Sequence, residues 1–279
     1  MGERNIWQRY RRNRAGLLGL GLFAVVLLAA VFGPMIHATD PWAFVARPFL
    51  WPGDRLAVPL GSDYMGRDVL AGLLHGARVS LMIGLAATAA ALGIGVLVGA
   101  LAGYFRGWTD DVLMRITETF QTIPNFILAI VLVAIFKPTI ETIVLTIGIV
   151  SWPPIARLVR AEFLSLRERE FVQSCVVIGM SEPRIIITQI LPNCTAPVVV
   201  LASILVATAI LIEAGLSFLG LGDPNVMSWG KMIGDSRDSL RTAWYLSAIP
   251  GLAILLTVLS INLIGEGLND ALNPRLKDR

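Results

Sequence analysis

Residues able to do covalent chemistry are few in this chain, and their spacing serves no familiar reaction. His37 and His75 stand alone, and neither Cys175 nor Cys194 has a partner at zinc-site spacing, so no metal site is expected. A phosphate-binding loop needs G-x-x-x-x-G-K-[ST]. Here Gly230-Lys231 is followed by Met232, and Asn225 stands where the first glycine belongs, so ATP finds no binding loop. No G-x-S-x-G elbow occurs, which leaves an intramembrane hydrolase as a remote enzymatic alternative. Glu213 is a different case, because it lies among Ile210, Leu211, Ile212, Ala214 and Leu216. A carboxylate at membrane depth costs about 2.5–3.5 kcal/mol unless it faces protein or water. It is therefore expected inside the helix bundle or against a partner, either as a pathway residue or as a hydrogen-bonded structural group. Asn262 is a second pathway candidate, and it and Glu266 lie nearer the end of a later apolar run.

The other unusual polar stretch runs from 157 to 193, where Arg157, Arg160, Arg167, Arg169 and Arg184 alternate with Glu162, Glu168, Glu170 and Glu182. Such a mixture suits helix in water, and Phe171, Val172, Cys175, Val176 and Ile178 recur at about helical spacing. Gly179 can end that helix in a left-handed conformation. Ser181 is a plausible N-cap for a second helix, with Pro183 and Glu182 in its first turn. Ile185, Ile186 and Gln189-Ile190-Leu191 continue the second helix, and Pro192 is expected to interrupt it at the membrane. The residues alone allow two readings: a stiff lever gripped from outside the bilayer, or an amphipathic hairpin resting on its surface.

These groups must be positioned by membrane helices. Hydrophobic residues make up 55% of the 279 and charged residues 15%, and the mean hydropathy is +0.71, against about 45–50% and 25% in ordinary soluble domains. At about 1.5 Å per residue, some 20 residues cross about 30 Å of hydrocarbon. Six runs qualify: 16–36, 81–105, 120–136, 139–155, 195–219 and 243–264, the third and fourth separated by Lys137-Pro138. The first follows Arg4, Arg9, Arg11, Arg12 and Arg14. It is longer than a signal-peptide core and more membrane follows it, so an uncleaved span is expected. Fifteen Lys and Arg residues fall on the side of the termini and the 157–193 loop and eight on the other, which predicts both termini and that loop in the cytoplasm. The net charge of +3 is placed for topology, since the arginines flank apolar runs and form no nucleic-acid face. The expected organisation is a cytoplasmic segment 1–14 and one membrane domain 15–279, with an outer loop at about 37–78 and the hairpin at about 157–193.

Smaller features fit inside this frame. Ala87, Ala91, Gly95, Gly99 and Gly103 put a small residue at every fourth position of the second run, which permits close helix contact. Pro124 and Pro153-Pro154 favour bends. Ser62 or Asp63 can cap a short outer helix carrying Val69, Leu70, Leu73 and Leu74 on one side.

The segment Val172-Gln173-Ser174-Cys175, with Gly179 and then Ile190-Leu191-Pro192, resembles the "EAA" coupling loop of ABC importer permeases. Gln-Ser-Cys stands here in place of Glu-Ala-Ala: Ser174 and Cys175 keep the small size, and Gln173 loses the acid. Three further segments resemble the C-type subunit of the oligopeptide, dipeptide and nickel branch: 60–70 with 76–81, 216–222 with 228–230, and 250–252 with 262–265. The resemblance covers nearly the whole chain. It implies an all-α membrane protein with six transmembrane helices and a cytoplasmic coupling hairpin, the type I ABC importer permease fold. It also implies half of a translocation pathway in a bacterial inner membrane, completed by a second permease. Two ATPase subunits would hold ATP and magnesium, no cofactor binding to this chain itself, and an extracytoplasmic solute-binding protein would deliver the solute. In such a protein Val172, Gln173, Ser174, Cys175, Gly179, Ile190, Leu191 and Pro192 would couple to the ATPase, and Arg67 and Asp68 are candidate receptor contacts. Di- or oligopeptides are the first solute class, followed by nickel or another metal chelate, glutathione and opine-like solutes. The rival of another class is an ATP-independent secondary transporter or channel, which inverted repeats or paired intramembrane charges would favour.

Overall fold

The computed structural model describes residues 6–272; Arg4, Arg275, Lys277 and Arg279, which enter the charge asymmetry, lie outside them. A short helix, α1 (Ile6–Tyr10), precedes α2 (Arg14–Ile36), whose first turn is capped by Asn13 Oδ1 accepting from the Gly16 N–H at 2.8 Å. After an irregular loop come α3 (Val69–Phe105), α4 (Gly107–Thr122), α5 (Asn125–Phe136) and α6 (Ile140–Arg167). The hairpin helices α7 (Glu170–Val177) and α8 (Glu182–Ile185) follow, then a π turn (Ile186–Ile190) leading into α9 (Leu191–Phe218). The chain closes with α10 (Trp229–Ser236), a 3₁₀ turn (Arg237–Ser239) and α11 (Tyr245–Leu272). Among the described residues there is no strand, only two isolated bridges, Phe44 with Arg67 and Ser62 with Asp68.

Five helical runs are long and apolar enough to cross a membrane: α2, α3, α6, the continuous Glu182–Phe218 run and α11. A sixth apolar stretch is a bent pair, α4 and α5, which meet at 85° and reach membrane length and composition only together. The bend expected at Pro124 is there, and it divides the run expected over 120–136 between the two helices. Ile123 is extended and Pro124 has no N–H to give a preceding turn, so the 12-residue α5 begins afresh and is only about 18 Å long. Pro153 and Pro154, by contrast, lie inside an unbroken α6.

The outer region also departs from expectation. No separate short helix forms there, since Val69 opens a single 37-residue α3. Its cap is Asp68, whose Oδ1 accepts from the Leu70 N–H at 2.8 Å. Ser62 and Asp63 tie the preceding loop instead: Ser62 Oγ donates to the Arg47 carbonyl at 2.6 Å, and Asp63 Oδ1 accepts from the N–H groups of Met65 and Arg67, both at 2.8 Å.

The small-residue stripe of α3 is buried along its length, and its lower half meets α6. A Cβ added at Gly95 would stand 2.6 Å from Ile155 Cβ, and one at Gly103 the same distance from Phe163 Cβ. At Gly99 it would collide with the Ala156 carbonyl. The stripe is thus used inside this chain, where glycine lets two helix backbones approach closely. At one end of the bundle the α1–α2 joint meets the end of α11, with Asn13 Nδ2 donating to Asp270 at 2.7 Å, and α3 ends beside the hairpin, where Arg106 bonds Glu168 at 2.9 Å. The irregular loop and α10 occupy the opposite end, where His37 at the close of α2 meets the Asp68 cap of α3. Both described ends of the chain therefore lie at the hairpin end.

Candidate functional site

The hairpin is shorter than its polar sequence indicates, because 157–167 continue α6 and only Glu170 onward turns away. The turn after α7 closes by two backbone bonds of a Schellman motif. The Met180 N–H donates to the Cys175 carbonyl and the Gly179 N–H to the Val176 carbonyl, both at 3.0 Å. Gly179 has φ +79°, the left-handed conformation expected of it, and no atom lies within 4 Å of where a Cβ would be. Ser181 takes the N-cap position of α8, although its side chain makes no capping bond.

Inner and outer faces of the hairpin differ sharply. Val172, Ile185, Ile190 and Cys194 are buried in one cluster with Tyr104, Ile155, Val159 and Phe163 of α3 and α6. Cys175 and Leu191 pack at its edge. On the other side Val176, Val177 and Ile178 are 52%, 86% and 75% exposed, so the turn presents an apolar tip. Gln173 and Ser174 are also exposed; Gln173 Nε2 donates to the Arg167 carbonyl at 2.9 Å and Ser174 Oγ to the Glu170 carbonyl at 2.8 Å. Gln173 thereby satisfies an open carbonyl at the end of α6, a role the acid it replaces could not fill, since a carboxylate only accepts.

Pro192 does not end the second helix, contrary to expectation. The residues before it widen into a π turn in which the Leu191 N–H reaches back five residues to the Ile186 carbonyl. The wider turn accommodates the proline ring, and the helix runs on to Phe218. Asn193 Nδ2 donates to the Gln189 carbonyl at 2.6 Å, one turn back.

Two ion pairs brace the hairpin's base. Arg160 of α6 holds Asp110 of α4 through Nε and Nη2, and Arg106 donates from Nη2 to the Leu164 carbonyl at 3.2 Å and to Glu168. Arg167 lies over the Tyr104 ring at 5.0 Å. Sequence reasoning missed the Arg160–Asp110 pair, since nothing in a 50-residue separation signals it.

Glu213 faces the bundle interior, 1% exposed. Its Oε1 accepts from Ser217 Oγ at 2.8 Å, one turn along α9, and from Ser228 Oγ at 2.7 Å, the cap of α10. The helix so anchored sits tightly: a Cβ at Gly230 would stand 2.6 Å from Ala214 Cα, and Trp229 Nε1 donates to the Leu73 carbonyl at 2.9 Å. Asn262 takes the opposite course. It is exposed in this chain, on the side of α11 shared by Leu255, Leu259 and Glu266.

Arg67 and Asp68, the candidate receptor contacts, are 5% and 2% exposed in this chain. Arg67 Nε donates to Asp63 at 2.6 Å, its Nη2 lies 3.5 Å from Asp235 of α10, and its guanidinium stands 5.4 Å from the ring centroids of both Trp42 and Tyr64. Burial works against that charge more than any single neighbour supports it, but Asp63, Tyr64 and Asp235 together outweigh it, and the pKa of Arg67 is raised. Among the described residues no group of three or more potential metal ligands occurs.

Two family models match the chain. One describes the N-terminal transmembrane domain of oligopeptide transport permease C and matches residues 4–52; the other describes a binding-protein-dependent transport system inner membrane component and matches 95–278. Among curated relatives, the di/tripeptide transport system permease protein DppC of Pseudomonas aeruginosa is 38% identical over 99% of this chain and 93% of its own length. The dipeptide transport system permease protein DppC of Escherichia coli K12 is 40% identical over 97% and 92% respectively. Among solved structures, a chain of the inward-facing MetNI methionine ABC transporter superposes with a TM-score of 0.59 at 18% identity, covering 70% of this chain and 93% of that one, a likeness of fold. The family model covers two thirds of the sequence, and relatives at 38–40% identity match nearly all of it: the chain belongs to the family of binding-protein-dependent transport system inner membrane components.

Proposed function

We propose that this chain is one permease half of an ATP-driven importer of di- or oligopeptides in a bacterial inner membrane. The observation that carries the reading is the two-faced hairpin. Its inner face is fixed in the α3–α6 core, and its apolar tip at Val176, Val177 and Ile178 is left for another protein to cover. The occupant is an ATPase subunit, one of two that would hold ATP and magnesium, while this chain binds no cofactor and catalyses no reaction. The peptide assignment is supported by relatives that are named dipeptide or di/tripeptide permeases at 36–40% identity. A second permease completes the pathway, an extracytoplasmic solute-binding protein delivers the peptide, and both termini and the hairpin face the cytoplasm.

In this mechanism, closure of the ATPases on ATP displaces the tip. Val172, Ile185 and Ile190 are buried against α3 and α6, so the displacement passes into those helices as a rigid-body shift instead of being lost in a loop. The continuous Glu182–Phe218 run carries the same motion toward Glu213 and α10 at the opposite end. Opening alternates between the two sides of the membrane, with Glu213 and Asn262 as the candidate groups along or beside the route.

The test is reconstitution of the assembly that copurifies with this chain into liposomes, followed by uptake of a labelled dipeptide. Accumulation that requires hydrolysable ATP and the solute-binding protein is the expected result. Uptake without ATP would replace this reading with a secondary transporter. ATP-dependent uptake of a nickel chelate but of no peptide would keep the importer and change its solute.

A further inference from the structure

We propose that the corner where α1 meets the end of α11 is a binding site for the headgroups of anionic phospholipids. The backbone there is built, not trailing. Tyr10 is 4% exposed, and its hydroxyl donates to the Gly16 carbonyl at 3.0 Å. The ring fills the space that glycine leaves at 16 and 267: a Cβ on Gly267 would stand 2.8 Å from Tyr10 Cε2 and 2.9 Å from Gly16 Cα. Asn13 adds a second tie, accepting from the Gly16 N–H and donating to Asp270. Burial raises the pKa of the Tyr10 phenol.

So held, the segment turns two chemistries outward. Trp7 stacks on Tyr10 with ring centroids 6.1 Å apart and planes within 3°, yet is 58% exposed. Beside it Arg11, Arg12 and Arg14 are exposed and Arg9 is half-buried. Among the described residues none of these four guanidinium groups lies within salt-bridge distance of a carboxylate. An indole with clustered arginines at the end of an apolar helix fits the headgroup layer, where the ring occupies the interface and the guanidinium forks pair with phosphodiester oxygens. Position decides for lipid over a protein partner. Only 17% of the apolar window of α2 is buried in this chain, so this span stands at the rim of its own bundle, and the basic end of an apolar span this long lies at headgroup level. This holds whatever solute the chain moves.

The experiment uses the full chain with the subunits that copurify with it, reconstituted in nanodiscs of equal phosphatidylglycerol and phosphatidylcholine, released into mild detergent and weighed by native mass spectrometry. Retention of phosphatidylglycerol over phosphatidylcholine by at least about fivefold is expected. Arg11→Gln/Arg12→Gln/Arg14→Gln together should abolish that preference, and lysine at the same positions should keep most of it. Equal retention of the two lipids by the unaltered protein, or an unchanged preference in the glutamine variant, overturns the site. Loss of a copurifying subunit with the lipid preference intact also overturns it and gives the patch to a protein. Removing three arginines weakens the orientation signal of the first span. Trp7→Ala, which leaves every charge in place, is therefore measured beside it. It should lower retained phosphatidylglycerol by about half; no change in that variant overturns the site even if the glutamine variant fails to insert.

Discussion

Arg160 and Asp110 join fork to fork across 50 residues of sequence, Nε to Oδ1 and Nη2 to Oδ2, each at 2.5 Å. The pair fastens α4, the only amphipathic limb of the bent span, to the end of α6 from which the hairpin departs. Planar two-point pairing fixes orientation as well as distance.

Asp110→Asn should therefore loosen the base of the hairpin without removing the hairpin. Arg160 is about one third exposed, so solvent reduces the loss to about 1 kcal/mol. Thermal unfolding of the assembly should fall by a few degrees, and transport by more than stability. Asp110→Arg combined with Arg160→Asp should recover part of both. A double variant no better than either single would show that the pair does not act as a clasp.

Gly179→Pro should leave insertion intact and abolish transport. Proline holds φ near −65° where this position has +79°, and it deletes the N–H that bonds Val176. Gly179→Ala keeps the N–H and meets open space, so it should cost only the left-handed strain of about 1–2 kcal/mol and retain most uptake. Normal uptake by the proline variant would remove the turn from the coupling argument.

Glu213→Gln keeps the oxygen that accepts from Ser217 and Ser228, so its uptake and melting temperature should stay near those of the unaltered protein. Glu213→Ala strands two buried hydroxyls and should destabilise by about 1–3 kcal/mol. Ser228→Ala should destabilise as well, because it removes one donor to Glu213 and the cap of α10 together. If glutamine abolished uptake while stability held, the carboxylate would belong to the pathway instead.

Gly99→Val should be among the least tolerated changes in the chain. Even its Cβ would strike the Ala156 carbonyl, a backbone atom that no side-chain rotation can move aside. Overpacking of this kind costs about 1–3 kcal/mol or more. The accumulated protein in the membrane, compared with Gly93→Val where nothing lies within 4 Å, measures the difference.

The apolar runs, the Gly179 turn and the α3 stripe could be read in the sequence because each depends on local pattern: length, a glycine at a helix end, a four-residue period. The buried setting of Glu213 was also legible, from its surroundings. Its partner Ser228 was not, because a cap fifteen residues away belongs to another helix. Arg67 and Asp68 look like surface residues in sequence; Asp63, Asp235 and His37, which enclose them, come from three separate segments. The bend at Pro124 was legible as a bend, and its 85° angle was not. Proline states where a helix must restart and says nothing about the direction in which it leaves.

The π turn at 186–190 makes the register of the hairpin and its span a matter of counting. Ile185 and Ile190 are buried five residues apart, and Cys194 follows four residues later. In an unbroken α-helix a step of five would rotate the second residue well away from the first. The widened turn takes up the surplus residue, and one uninterrupted seam of side chains passes from lever to membrane. The frame is thus set by one residue of length. Adding a residue between 190 and 194 would turn Cys194 and everything beyond it out of phase with Ile185, while every side chain in the protein kept its own chemistry.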